Sequence, residues 1–255
     1  MGYTCSMEQP IIEKLIELNR VFYQDFASSF SDTREKLQPG VVSITDKIPS
    51  NYHILDLGCG NGEFLNHLNR MRFHGKYTGV DFSNELLDYA RQRNFHHQLI
   101  ESNFLLKDLT SDDWSSDLAT HAFDLITCFA ALHHLPGTAT RNLLLRQVKP
   151  LLKDSGRVFI STWQVNNSER LKKRILPWET IGLSAMDVDE GDILMDWRAA
   201  GPSSQLGMRY VHIFSAAELT SLAQANGFEV VSQYYSDGHE GNLALYQEWQ
   251  PARQV

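Results

Sequence analysis

The chain has 255 residues, 42% of them hydrophobic and 21% charged, and its formal net charge is −8. That is enough apolar material for a core that needs no metal ion or disulfide, and no apolar run reaches the ~20 residues that cross a bilayer. The negative charge disfavours strong nucleic-acid binding by the chain alone, because Lys and Arg supply most of the affinity for a phosphate backbone.

The three cysteines, Cys5, Cys59 and Cys128, do not have metal-type spacing. The first residues lack the basic flank, apolar run and small-residue cleavage site of a secretory signal. We therefore expect reduced thiols, no metal site, no membrane association and a cytoplasmic location.

Short apolar runs alternate with amphipathic stretches along most of the chain, which is the pattern of βαβ units and a parallel sheet. The fourth run, at residues 123–129, is nearly all apolar, as expected for a strand covered on both faces. Strands are predicted at residues 53–57, 77–82, 97–102, 123–129, 157–162, 229–235 and 243–249. Helices are predicted at residues 11–26, from about 62, and at 84–93, 139–152 and 216–226.

Two helix ends carry recognisable signals. Gly156 follows the helix at 139–152 and is predicted to be its C-terminal cap. Ser215 is predicted to cap the start of the helix at 216–226, with Glu218 completing a capping box and Gly227 ending the helix.

A glycine-rich turn follows the first predicted strand. Residues 54–62 read Ile-Leu-Asp-Leu-Gly-Cys-Gly-Asn-Gly, and glycines suit a tight turn that a ligand approaches closely. The three alternating glycines alone would fit any tight turn. However, the spacing differs from the GxGxxG of dinucleotide folds, and the carboxylate of Asp56 precedes it. An acid here suits a sulfonium ligand with an amino-acid tail, which carries positive groups and no phosphates.

A second acid, Asp81, ends the next strand at about the offset of a ribose-binding carboxylate. Each of its oxygens can accept a hydrogen bond from a ribose hydroxyl. Alternatively, Asp81 only caps the helix that begins at Asn84, a role that Ser83 would fill equally well. Its order after the glycine turn favours ribose binding.

These segments resemble the motifs of class I S-adenosylmethionine-dependent methyltransferases. Residues 56–62 resemble motif I, residues 80–83 the ribose-binding motif II, and residues 123–126 with His133-His134-Leu135 motif IV and the segment after it. The resemblance implies a doubly wound, seven-stranded, mostly parallel sheet and S-adenosyl-L-methionine as cofactor. It places Asp108 and Leu109 where the family recognises adenine, with Asp112 and Asp113 close by. The implied cofactor-binding residues are Arg34, Asp56, Gly58, Cys59, Gly60, Gly62, Asp81, Phe82, Asp108, Leu109 and Phe129.

Three further segments resemble a narrower group, the tRNA methyltransferases that esterify the 5-carboxymethyl group of a wobble uridine. They are Phe-Ser-x-Thr-Arg at 30–34, His-His-Leu at 133–135 and Arg-Tyr-x-His at 209–212. The resemblance implies a tRNA acceptor and, as in some relatives, a small activating protein as partner. A carboxylate acceptor is already ionised at pH 7, so catalysis would depend on positioning. The candidate catalytic residues are Arg34, His133, His134 and Arg209.

Other functions remain open for these residues. Either histidine also fits a buried structural role, Arg34 would equally hold the N-terminal segment over the cofactor, and Tyr23 fits a core or lid position. The acidic charge and compact insertion favour the alternative of a small-molecule O-, N- or carboxyl-methyltransferase. A local basic group, Arg170, Lys172, Lys173 and Arg174, is the exception to the acidic composition.

We therefore expect one methyltransferase domain with four parts. Residues 1–50 would form an N-terminal helical lid segment, and residues 51–163 the cofactor-binding core. Residues 164–212, rich in Gly and Pro, would form an insertion after strand five at the substrate side of the sheet. Residues 213–255 would supply the last helix and strand pair.

Overall fold

A computed structural model of the chain describes residues 7–27, 36–94, 100–198 and 206–252. The strands are β1 (His53–Leu57), β2 (Lys76–Asp81), β3 (Glu101–Leu106), β4 (Phe123–Phe129), β5 (Leu152–Trp163), β6 (Ile175–Leu176), β7 (Asp192–Arg198), β8 (Leu206–His212), β9 (Phe228–Ser236) and β10 (Ala244–Pro251). The helices are α1 (Gln9–Asp25), α2 (Pro39–Thr45), α3 (Glu63–Arg70), α4 (Asn84–Asn94), α5 (Thr138–Leu151), α6 (Glu169–Lys172) and α7 (Ala216–Ala225).

Seven strands form the main sheet in the order β3-β2-β1-β4-β5-β10-β9. The strands from β3 to β5 pair in parallel, whereas β10 is antiparallel to both of its neighbours. The predicted doubly wound, mostly parallel sheet is thus confirmed. The strand order reverses between β1 and β4, and open α/β folds bind their ligands at the carboxyl side of such a switch point.

The central strands are buried on both faces because successive side chains point to opposite sides of a sheet. Leu55 and Ile126 lie in one hydrophobic core cluster, while Ile54 and Leu125 lie in another. All four are at most 1% exposed. This two-sided burial explains the nearly continuous apolar sequence of β4.

A second sheet, which sequence analysis did not predict, occupies the segment at 164–212. It contains three antiparallel strands in the order β6-β7-β8. The segment had been predicted only as an insertion, because its glycines and prolines obscure the short strands. Among the residues that the structure describes, no helix is both long and apolar enough to span a bilayer.

Two local predictions were wrong. The third strand is Glu101–Leu106 rather than 97–102, because it is an edge strand with mostly exposed side chains and so lacks a clear apolar pattern. Gly156 does not cap α5: that helix ends at Leu151, and β5 begins immediately afterwards. The register between β4 and β5 shifts here, and a Cβ on Gly156 would lie 2.6 Å from Leu152 Cγ. A glycine is needed for this close approach within the irregular strand.

The predicted N-cap of the last helix is confirmed, since the Ser215 hydroxyl accepts a hydrogen bond from the Glu218 amide at 3.1 Å. The Glu218 side chain does not complete the capping box. Its carboxylate instead lies 2.7 Å from Nε2 of His212, at the end of β8.

A buried polar network joins the second sheet to α5 and α7. Arg141 donates to the Tyr210 hydroxyl at 2.9 Å, and that hydroxyl donates to Asp192 Oδ1 at 2.6 Å. His212 contacts the same Asp192 oxygen through Nδ1 at 2.6 Å and Glu218 through Nε2. Because both partners of the imidazole are carboxylates, both ring nitrogens act as donors, which corresponds to the protonated ring.

This network predicts a pH dependence of stability. Burial lowers the pKa of His212, but the hydrogen bonds to Asp192 and Glu218 outweigh it and the net pKa is raised. A histidine with a raised folded-state pKa stabilises the protein fully below its unfolded pKa of ~6.5. That stabilisation is lost as the pH rises through the folded-state pKa. Urea unfolding from pH 6 to pH 9 should therefore show a larger fall in unfolding free energy for wild type than for His212→Gln. Equal falls would contradict the prediction.

Candidate functional site

A cavity of about 210 Å³ lies at the carboxyl end of the main sheet, beside the switch point between β1 and β4. The glycine turn after β1 and Asp81 at the end of β2 form one part of its wall. Ser161 and Trp163 of β5 form another, and α1 covers it with Asn19 and Tyr23. The carboxyl ends of parallel strands lie at the same edge of a sheet, which is why residues far apart in sequence meet here.

The glycine turn is shaped by three left-handed residues, since φ is 72° at Gly58, 54° at Gly60 and 73° at Gly62. L-residues with a side chain rarely adopt these angles. The amides of Gly58 and Cys59 donate to Val80 O at 2.8 and 3.0 Å, and the Gly60 amide donates to Asp81 Oδ2 at 2.9 Å. These amides are therefore already engaged and do not form a phosphate cradle.

The same turn leaves room for a ligand at one glycine and not at the other. A Cβ on Gly60 would meet no heavy atom within 4 Å, so the backbone lies open towards the cavity that it lines. A Cβ on Gly58 would lie 2.7 Å from Ala131 Cβ, so this glycine allows the segment after β4 to approach. The Cys59 thiol is buried, and burial raises its pKa well above the usual range.

Asp56 is a buried acid on the cavity wall. Its two oxygens accept hydrogen bonds from the Tyr77 hydroxyl at 2.6 Å and the Thr127 hydroxyl at 2.7 Å. Burial raises the pKa of Asp56 to about 6, although both hydrogen bonds act in the opposite direction. An ionised carboxylate in this position is costly without a nearby positive charge, so the site favours a cationic ligand.

Asp81 both organises the turn and faces the cavity. Besides the Gly60 amide, it accepts from the Ser83 amide at 2.9 Å through Oδ1. Burial raises the pKa of Asp81, opposed by these backbone hydrogen bonds. Each carboxylate oxygen retains a further lone pair, and a pair of ribose hydroxyls can use these. The Ser83 hydroxyl, not Asp81, accepts the Leu86 amide at the start of α4, at 3.3 Å.

At the neighbouring part of the cavity, Asp108 is held by two groups. Its Oδ1 accepts from the amide and the hydroxyl of Thr110 at 2.9 and 2.6 Å. Its Oδ2 lies 2.8 Å from the guanidinium of Arg20, which projects from α1. Leu109 is buried beside them and also lines the cavity. This ion pair holds α1 over the part of the cavity that Asp108 and Leu109 line.

At the other end, α1 contacts His134. Nδ1 of His134 lies 3.0 Å from Tyr210 O, which is a carbonyl and can only accept, so Nδ1 carries the proton. Nε2 lies 2.8 Å from the Tyr23 hydroxyl and is hydrogen-bonded to it. Asn19, one turn earlier on α1, donates to the carbonyls of both His134 and Tyr210. Both ring nitrogens of His134 are therefore engaged within the protein.

The other predicted residues lie at different depths. Phe82 and Phe129 line the cavity, and their contact with a cofactor stays a prediction. His133 is fully buried, with its ring centroid 4.4 Å from that of His134. Arg209 is also buried, and its guanidinium carbon lies 4.4 Å from the centroid of Trp163, a cavity residue. Arg34 lies outside the described residues.

The site fits S-adenosylmethionine in three respects. The amides of the glycine turn already form hydrogen bonds within the protein, so the site does not require a phosphate on its ligand. Asp56 offers a carboxylate to the positive groups of the methionyl and sulfonium part, and Asp81 offers acceptors to the ribose. The open backbone at Gly60 lets a ligand lie against the turn. These features define a class I S-adenosylmethionine-dependent methyltransferase.

Comparison with known proteins agrees with this class. The sequence profile of the methyltransferase-domain family matches residues 29–233, and the protein belongs to that family. The chain is also similar to 1,6-didemethyltoxoflavin-N1-methyltransferase of Burkholderia thailandensis, solved with S-adenosylhomocysteine bound. The TM-score is 0.61 at 19% identity, covering 94% of this chain and 91% of the other. The chain thus contains an S-adenosylmethionine-dependent methyltransferase domain.

Two sequence relatives have different acceptors in their names. The chain is 27% identical over 151 residues to the tRNA (carboxymethyluridine(34)-5-O)-methyltransferase of Mus musculus, covering 59% of this chain and 20% of that protein. It is 34% identical over 121 residues to the ubiquinone biosynthesis O-methyltransferase of Aeromonas salmonicida, covering 47% of each. The chain thus spans only a fifth and about a half of these relatives' lengths.

Sequence analysis predicted a helical lid within residues 1–50 but did not identify Asn19 and Arg20, through which α1 contacts the site. Asn19, Arg20 and Tyr23 share one helical face, because residues three and four apart are neighbours on a helix. Polar residues within the otherwise apolar face of α1 were the available signal. Their partners Asp108, His134 and Tyr210 lie 88 to 191 residues away in sequence, so only the fold identifies them.

Proposed function

We propose that the protein methylates the carboxylate of a carboxymethyl group on a tRNA wobble uridine. The observation that carries the proposal is the state of His134, the titratable group of motif IV that reaches the cavity. Its Nδ1–H donates to Tyr210 O and its Nε2 is hydrogen-bonded to the Tyr23 hydroxyl, so neither ring nitrogen is left to take a proton from an acceptor. A carboxylate has no proton to lose at pH 7 and fits such a site.

The similarity to the mouse tRNA enzyme supports the same acceptor. When bound, S-adenosylmethionine supplies an electrophilic methyl group. In this proposal the protein residues bind and orient, which raises the rate by positioning rather than by proton transfer. Two residues would form the part of the cavity that binds the acceptor. His134 is held in place by hydrogen bonds to three neighbours, and Trp163 packs against the Arg209 guanidinium.

The direct test is transfer of a labelled methyl group to unfractionated tRNA that carries carboxymethyluridine. A methyl ester releases its label as methanol in mild alkali, whereas methyl groups on nitrogen, carbon or ether oxygen stay in place. Alkali-labile label in tRNA is the expected result. The reaction should be repeated with a candidate activating protein, and absence of label in both reactions contradicts the proposal.

The second candidate function is methylation of a hydroxyl on a small molecule. It is favoured by the similarity to the ubiquinone biosynthesis O-methyltransferase and by the net charge of −8. A hydroxyl acceptor must lose a proton. Tyr23 would take that proton while passing its own to Nε2 of His134, 2.8 Å away. RNase-resistant methylation of a phenolic or alcoholic metabolite would support this function.

Tyr23→Phe separates the two functions. With a carboxylate acceptor, loss of the hydroxyl only loosens His134, and we expect kcat/KM to fall by less than about tenfold. With a hydroxyl acceptor the proton relay is lost, and a general base typically contributes about 10²- to 10⁴-fold. The measurement is kcat/KM against pH for wild type, Tyr23→Phe and the exposed control Tyr89→Phe. A loss above a hundredfold would overturn the carboxylate proposal.

A further inference from the structure

The short basic segment after β5 stands out against the acidic chain. Arg170, Lys172, Lys173 and Arg174 fall within five consecutive residues, whereas the chain as a whole carries a net charge of −8. The segment overlaps α6 and follows Trp163, the last residue of β5 and part of the cavity wall, after six intervening residues. It therefore lies close in sequence to the cavity wall.

Contacts on both sides fasten this segment to the rim. Leu171 packs in the same hydrophobic cluster as Trp163 and Val165. Asn167 donates to Asn242 O at 2.8 Å, two residues before Ala244, which lines the cavity. With the apolar side of α6 turned inwards, the cationic side chains on either side of Leu171 are exposed.

The four cations are not equivalent. Lys172 pairs with Glu169 at 2.7 Å, and Arg174 lies 3.8 Å from Asp196. Arg170 and Lys173 are exposed and form no ion pair with any residue in the described ranges. An exposed cation without a partner adds little to stability. These two side chains, here called the α6 cations, are therefore available to a ligand.

The acidic side chains near this rim do not neutralise the positive charge of the α6 cations. Glu169 is engaged by Lys172, and Glu240 lies beside His239 at 2.9 Å. The acidic turn at residues 187–190 precedes β7. Arg174, in contrast, lies beside Asp196, whose amide donates to Arg174 O at 2.9 Å. Asp196 lies four positions after Asp192 in β7, which places it roughly 13 Å along the strand from the end of the acidic turn.

We propose that the α6 cations contact the RNA phosphate backbone while a base occupies the cavity. The inference rests on the proposed tRNA acceptor and assigns the surface that binds it. A cationic side chain that neutralises a phosphate releases a counterion, so the binding becomes sensitive to salt. Two exposed cations at the rim give an acidic protein a local site for a polyanion.

The test compares Arg170→Glu/Lys173→Glu with Lys47→Glu/Arg146→Glu. The control pair makes the same charge change at two exposed residues that do not line the cavity, neither in an ion pair with a described residue. Fluorescence anisotropy with unfractionated tRNA gives Kd at several salt concentrations. We expect the α6 pair to raise Kd at least tenfold and the control pair to change it less than twofold. KM for tRNA should rise with Kd, while kcat and S-adenosylmethionine affinity remain unchanged.

Two further variants test the surface without adding negative charge to it. Arg170→Ala/Lys173→Ala should reduce the slope of log Kd against log salt by about two, one unit for each lost phosphate contact. Glu169→Lys removes the partner of Lys172 and should tighten tRNA binding. Calorimetric titration with S-adenosylmethionine verifies that each variant is folded.

Failure of this surface is distinguishable from failure of the proposed function. If wild type methylates tRNA but the α6 pair binds tRNA as tightly as wild type, the surface is wrong and the function stands. Equal weakening by the α6 and control pairs would also overturn it, because only net charge would then matter. If wild type methylates no tRNA, the proposed function fails and the surface fails with it.

Discussion

Replacing Asp81 by alanine is expected to weaken S-adenosylmethionine binding by roughly 10- to 100-fold. The carboxylate accepts the amides of Gly60 and Ser83, so its loss frees the glycine turn as well as removing the proposed acceptors for the ribose. Hydrogen bonds to a charged group contribute about 1.5–3 kcal/mol, and about 1.4 kcal/mol corresponds to a factor of ten in Kd.

Calorimetric titration with S-adenosylmethionine measures this effect. Asp88→Ala is the matched control, because Asp88 is an exposed acid on the next helix whose partner is Arg91. Asp81→Asn keeps one acceptor oxygen and should bind with intermediate affinity. A folded Asp81→Ala protein with wild-type affinity would assign the ribose contact to another residue.

Replacing Arg141 by alanine is expected to cost the protein about 3–5 kcal/mol of unfolding free energy. Removing Arg141 leaves His212 as the one cation facing the two carboxylates Asp192 and Glu218 in this network, and an unbalanced buried charge is strongly destabilising. Arg141 is 1% exposed and lies 3.6 Å from the carboxylate of Asp192, whose side chain is fully buried. It also donates to Leu135 O at 2.9 Å, at the start of the segment that leads into α5.

Urea unfolding at constant pH provides the measurement. Arg146→Ala removes an exposed arginine from the same helix and should change the unfolding free energy by at most about 0.5 kcal/mol. Arg141→Met preserves side-chain volume, so a loss similar to that of alanine would assign the effect to charge rather than to packing. Wild-type stability in both Arg141 variants would contradict the buried-charge argument.

The cofactor half of the site was largely predictable from sequence. Asp56, the three glycines and Asp81 lie in two strand-to-turn segments whose conformation depends on neighbouring residues. A strand followed by left-handed glycines restricts the backbone locally, and the observed φ values of 54–73° require residues of that type. The roles of these residues in binding remain predictions that the Asp81 variants test.

The acceptor half was less predictable because its geometry comes from residues distant in sequence. His134 was identified as a candidate, but its proton arrangement depends on Tyr23 and Tyr210, which are 111 and 76 residues away. His133 and Arg209 were selected with it, yet both lie buried behind the cavity wall. No pattern in the sequence distinguishes a residue that lines the cavity from one that is buried behind its wall.

The sequence by itself determined the α/β class, the position of the cofactor turn and the methyl donor. Hydrophobic periodicity and the backbone conformation of glycine depend on residues that are close together in the chain. Both can therefore be read from the sequence. Tertiary structure alone decided how α1 closes over the site, how the second sheet forms within residues 164–212, and where the α6 cations lie. Those features depend on side chains that meet only after the strands have aligned, since burial and ion pairing are set by the final packing.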